Sequence, residues 1–185
     1  MDYICAMNTN KQIIRLGIIL FLITMSIFFL LIFFFSTRGS ISDAQYFNYS
    51  AMINCFVLPG LYAGIGFYST FIVAKQRPVS FRQAWQLSFS PMFLGGILSL
   101  ASIFIFFNTG GAWAEDSLQR GWYDLMTSNP NPEFMEKNGE FVKSMTDLSI
   151  NMFTWKVFFL SFSVIIFFYF LISSIFAVFF KNRRV

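Results

Sequence analysis

From Val157 to Phe180 the chain reads VFFLSFSVIIFFYFLISSIFAVFF, twenty-four residues without one charge, and Lys181-Asn182-Arg183-Arg184 follows directly. As a helix this stretch is about 36 Å long, enough to cross the roughly 30 Å hydrocarbon core of a bilayer. It is apolar all the way round, which suits a membrane span and not the face of a soluble helix. Three more stretches of the same kind precede it: Ile13 to about Phe35, about Ala51 to Val73, and about Ala84 to Phe107. None of the four contains Asp, Glu or Lys, and Arg15 is the only charge inside them. One turn into the first span, its guanidinium can extend back to the interface at low cost.

The whole chain agrees with this reading. Its 185 residues are 56% hydrophobic and 12% charged, with a mean hydropathy of +0.62. A soluble domain carries about a quarter charged residues. Twenty-eight phenylalanines are too many for a soluble core of this size. These features exclude a soluble globular domain and a disordered tail. The sequence predicts one all-α integral membrane domain over residues 1–185, with four transmembrane helices and an extracytoplasmic helical insertion between the third and fourth. The first span is longer than the roughly 7–15 residues of a cleavable signal. It runs into Ser36-Thr37-Arg38 with no small-x-small site, and so reads as an uncleaved signal anchor.

Charge sets the orientation. Lys11, Arg15, Lys75, Arg77, Arg82, Lys181, Arg183 and Arg184 fall on one side, accompanied there only by Asp2. The other side holds Arg38 and Asp43 in the first connection. In the 49 residues from Asn108 to Lys156 it holds seven acids (Glu115, Asp116, Asp124, Glu133, Glu136, Glu140 and Asp147) against four bases. Basic flanks mark the cytoplasmic side, so both termini are expected there and residues 108–156 outside. The net charge of +4 and pI near 9.2 therefore report topology and not nucleic-acid binding. Cys5 and Cys55 fall towards opposite faces and form no framework or metal spacing.

Several motifs bear on packing. Ser80 with Gln83 makes a capping box that opens the third span after Pro78 has ended the second. Gly60-Leu61-Tyr62-Ala63-Gly64 is a small-xxx-small pair, and Pro59 before it is expected to kink the helix. Ser88, Gly95, Ser99 and Ser102 recur on one face of the third span. Contacts inside the bundle are the favoured role for both seams, with contacts to a second protein as the alternative. Asn54 is the most polar group in a span and is expected to hydrogen-bond a neighbouring helix. Outside the spans, Trp113 to Met126 can prolong the third helix, and Glu115-Asp116 sits on a solvated helix face. Asn131-Pro132-Glu133 opens a further helix whose Phe134, Phe141, Met145 and Leu148 form an apolar stripe, for a partner or for the bundle's own end.

No catalytic constellation emerges. With no histidine, no glycine-rich phosphate loop and no acid pair in a span, the expectation is a non-enzyme with no cofactor and no metal. Empty spans exclude ion relays and voltage sensing.

The hairpin Val79-Ser80-Phe81-x-x-Ala84-Trp85, the outer stretch Pro132-Glu133-Phe134-Met135-Glu136-Lys137 and the basic C-terminal end together resemble the bacterial membrane-protein family known as domain of unknown function 4199. The resemblance covers essentially the whole chain. It implies a small four-span inner-membrane protein of Gram-negative bacteria, with an accessory role beside family-two glycosyltransferases and no site residues to carry over. The expected function is a non-catalytic scaffold or accessory subunit of an inner-membrane enzyme or translocation complex. Its expected partners are membrane lipids and other membrane subunits, not nucleic acid. The alternative is a small homo-oligomeric transporter or channel for an uncharged or lipidic solute, built around Asn54 and the serine face.

Overall fold

A computed structural model describes residues 2–38, 41–128 and 154–182. All its elements are helical: α1 (Asp2–Arg38), α2 (Asp43–Met52), a π-helical turn (Ile53–Val57), α3 (Leu58–Gln76), α4 (Phe81–Thr109), α5 (Ala112–Thr127) and α6 (Trp155–Phe180). Four helical stretches are long and apolar enough to cross a membrane: Asn10–Phe35, Asp43–Gln76, Phe81–Thr109 and Trp155–Phe180. The chain is a multi-pass membrane protein.

α4 is the hub, packing against α1, α3 and α6. Its sequence explains the central place. Gly95 and Gly96 are adjacent and face different neighbours, so two helices can close on α4 at one level. A Cβ on Gly95 would lie 2.7 Å from Leu20 Cβ of α1, and one on Gly96 would lie 2.9 Å from the Tyr169 ring of α6. Pro91 is buried within α4 and cannot donate to the carbonyl four residues back, a loss that membrane helices absorb through their neighbours.

One end of the bundle is basic. There Val73, Ala74, Val79, Ala84, Leu87, Ala177 and Phe180 form a buried cluster, with Ile13 packed against it. The capping box is present in full: Gln83 N–H donates to Ser80 Oγ, and Ser80 N–H to Gln83 Oε1. The Asn182 N–H donates to the Val79 carbonyl at 3.0 Å, which ties the last turn of α6 to the α3–α4 hairpin. The start of the first span and the end of the last therefore share this end.

The opposite, acidic end departs from the expectations in two ways. The helix of the second span does not begin near Ala51. It begins at Asp43, opened by a second capping box in which Ser42 Oγ accepts from Gln45 N–H and Gln45 Oε1 from Ser42 N–H. The 34 residues from Asp43 to Gln76 make about 50 Å of helix, so α2 projects beyond the apolar core. Nor do Trp113 to Met126 continue the third helix. Gly110 and Gly111 end α4, both N–H groups turning back to the Phe106 carbonyl, and α5 runs separately against α2. Tyr46 is buried at this junction, stacked on Phe35 at 4.2 Å, and Phe35 stacks in turn on Trp113.

Pro59 is expected to kink the second span; the change is a π-helical turn. The Leu58 N–H reaches back five residues to the Ile53 carbonyl, which widens the helix just before the proline ring. The helix runs on through the π turn into α3.

Candidate functional site

The sequence singles out two small-residue faces, and the structure places them differently. On α4, Ser88, Gly95 and Ser99 are all buried. A Cβ on Gly66 of α3 would lie 2.8 Å from Ser88 Oγ, so that serine marks the contact with α3, whereas Gly95 marks the contact with α1. On α3, Gly60 and Gly64 are exposed, and among the described residues no other part of the protein lies within 4 Å of where a Cβ would stand on either. Among the described residues, no helix packs on this seam inside the bundle. Spacing on one helix gives a flat face; only the tertiary arrangement decides whether a helix covers it. Phe56, Val57, Phe67 and Tyr68, large side chains of the same stretch, are also exposed.

Asn54 is also placed otherwise than expected. Its side-chain Nδ2 donates to the Ser50 carbonyl at 2.8 Å, one turn back in its own helix, and among the described residues it joins no neighbouring helix. It lines a cleft of about 380 Å³ between the acidic-end half of α3 and α6. Towards the basic end the two helices meet where Phe67 packs on Phe176 and Phe180. The cleft is the space they leave beyond that contact.

The cleft has apolar walls, including Leu58, Val164, Ile165 and Phe168, and a hydroxyl-bearing floor. The Thr24 and Tyr62 hydroxyls share a hydrogen bond at 3.2 Å, and Tyr62 Oη lies 3.4 Å from Ser99 Oγ. The Tyr169 ring stacks on Tyr62, with centroids 5.2 Å apart and planes 6° from parallel. Each span thus supplies one hydroxyl side chain to this level. Of these, sequence reasoning singled out Ser99 alone. Thr24, Tyr62 and Tyr169 were legible as hydroxyls in otherwise apolar spans, but their shared depth needed the helix packing. Such a floor can hydrogen-bond a neutral oxygen or nitrogen, and the cleft lining carries no charged side chain.

The α2–α5 layer carries Asp43, Glu115, Asp116, Arg120 and Asp124, most of the charged groups of the described acidic end. Arg120 Nε donates to Asp43 Oδ2 at 2.8 Å, and Arg120 Nη2 to Ser117 Oγ at 3.1 Å. Glu115, expected on a solvated face, is buried with 7% of its surface exposed. Desolvation pushes its carboxyl above the ordinary carboxylate range, and the neighbouring Asp116 charge adds to the rise. Phe134, Phe141, Met145 and Leu148, the stripe assigned to the outer helix, lie outside the described residues.

Residues 15–182 match the family described as protein of unknown function (DUF4199). The chain belongs to this family. The match takes in the first span from Arg15 onward, the other three spans, both capping boxes and the residues lining the α3–α6 cleft, so these features sit within the DUF4199 region. No curated protein and no solved structure gives a match.

Proposed function

We propose that this protein is a non-catalytic accessory or scaffold subunit of a larger complex in the inner membrane of a bacterium. A single observation carries the reading: Gly60 and Gly64, four residues apart on a membrane-spanning helix, present backbone with no covering atom. Between membrane helices there is no hydrophobic driving force, so close backbone approach and van der Waals packing supply the attraction. A partner helix can approach this face more closely than it could a leucine or phenylalanine face. The partner suggested by the resemblance above is a membrane glycosyltransferase; a translocation machine is the other class. The apolar stripe from Phe134 to Leu148 would offer a second contact outside the bilayer.

The test is co-purification of the tagged protein from its native membrane in several mild detergents. Other membrane subunits should be recovered with it. In the Gly60→Leu/Gly64→Leu variant their recovery should fall by about ten-fold, equivalent to about 1.4 kcal/mol. The variant's own melting temperature should not fall, since among the described residues nothing approaches a Cβ at these positions. Recovery of the protein alone from every detergent would overturn the proposal. The rival reading, a homo-oligomeric transporter or channel for an uncharged or lipidic solute, draws on the Thr24–Tyr62–Ser99 floor. It predicts that an untagged copy of the same chain, and no other subunit, comes down with the tagged one.

Orientation belongs to the same proposal. The basic end is assigned to the cytoplasm and the α2–α5 layer with residues 129–153 to the outside, on the distribution of Lys and Arg at span ends. In a cysteine-free background, Asn138→Cys should react with an impermeant thiol reagent once the outer membrane is permeabilised, and Ser80→Cys should not. Labelling of Ser80→Cys across an intact inner membrane would reverse the assignment.

A further inference from the structure

The basic end holds a second cleft, of about 470 Å³, between α1 and α3. Lys11, Gln12 and Arg15 line it from α1, followed along the same helix by Leu16 and Ile19, and Tyr68 closes it from α3. The order along α1 matters. Lys11, Arg15 and Ile19 are four residues apart and share one side of the helix, so two cations are succeeded by an apolar wall at greater depth. Among the described residues neither Lys11 nor Arg15 has a carboxylate at ion-pairing distance; the ion pair that forms, Arg120 with Asp43, lies at the other end. Gln12 lies between the two cations on the same helix and adds a polar, uncharged side chain to this end of the lining.

We propose that this cleft binds an anionic phospholipid, its phosphate held by Lys11 and Arg15 and one acyl chain laid against Leu16 and Ile19. The charge pattern favours this occupant over others. Basic pockets between membrane helices take acidic headgroups, at about 1 kcal/mol per Lys or Arg. A zwitterionic lipid brings no net charge to two unpaired cations. Free phosphate makes no use of the apolar wall.

The full-length protein, purified in an uncharged detergent, is titrated with mixed micelles of phosphatidylglycerol, with mixed micelles of phosphatidylcholine, or with inorganic phosphate. Retention of lipid is followed by native mass spectrometry and stability by thermal melting. Phosphatidylglycerol should raise the melting temperature above the phosphatidylcholine value and be retained at one molecule per chain, and phosphate should do neither. Lys11→Gln/Arg15→Gln should weaken phosphatidylglycerol binding by roughly 30-fold, the effect of two basic groups, and leave melting in phosphatidylcholine unchanged. Arg82→Gln/Lys181→Gln, which removes two exposed cations of the same end that do not line the cleft, should retain the preference. Equal melting in the two lipids, or equal loss in the two variants, would overturn the proposal. So would a phosphate effect as large as that of the lipid, which would mark a site for the free anion.

Discussion

Gly95→Val should lower the melting temperature of the detergent-purified protein by roughly 6–12 °C. The first atom added at this position would stand 2.7 Å from Leu20 Cβ and 3.0 Å from the Gly17 carbonyl oxygen. A side chain can rotate away; a backbone oxygen cannot, so α1 must move off α4. Gly17 returns the constraint, since a Cβ there would lie 2.7 Å from Leu94 Cδ2. Overpacking of this kind costs about 3 kcal/mol at the upper end, and a chain of this length loses roughly 2–4 °C per kcal/mol. Gly60→Ala is the matched control. With no atom within 4 Å, it gains helix propensity, up to about 1 kcal/mol, and should melt at or slightly above the native temperature. Native-like melting of Gly95→Val would mean that α1 and α4 are not in close contact at this level.

The second large effect is expected at Gly121. Any Cβ there would overlap the backbone carbonyl of Asp43, so Gly121→Ala should drive α5 away from α2 at a cost of about 1–3 kcal/mol. The ion pair beside it makes an informative contrast. Arg120 is 63% exposed, and an exposed pair contributes at most about 1 kcal/mol. Hydrogen exchange separates the two contributions: amides of α5 should lose protection strongly in Gly121→Ala and only slightly in Asp43→Asn. If Asp43→Asn has the larger effect, the layer is held by charge and not by close backbone packing.

What was legible from sequence follows from what each feature depends on. The four spans are visible because twenty or more consecutive apolar residues have few other uses, whatever their neighbours. The Ser80–Gln83 cap is local, and the chain obeys it. Ser42 and Gln45 carry the same signature inside a polar stretch that hydropathy reads as a connection, so α2 begins eight residues ahead of the apolar block. The break at Gly110-Gly111 was missed because two glycines in a membrane helix are common enough to pass as interior. Gly17 and Gly66 escape notice in the sequence, and Gly60 and Gly64 read there as an internal seam, for one reason. A glycine becomes a contact only if another helix stands opposite it, and opposition is a property of the assembled bundle. The cleft belongs in the same class, since its four hydroxyls are far apart in sequence and meet only at one depth.

The hub position of α4 also sets an order of events during synthesis. α1 and α3 touch each other far less than each touches α4. Until the 33 residues from Arg77 to Thr109 have been made, the first two spans have no helix to close upon. At about 5–20 residues per second that interval lasts roughly 2–7 s. Throughout it, the Gly17 face and the hydroxyls of Ser69 and Thr70, all buried in the finished chain, stand against lipid or the translocation channel. Arrival of the third span is therefore the assembly step, and a nascent chain stalled before it would show a membrane protease its most polar surfaces.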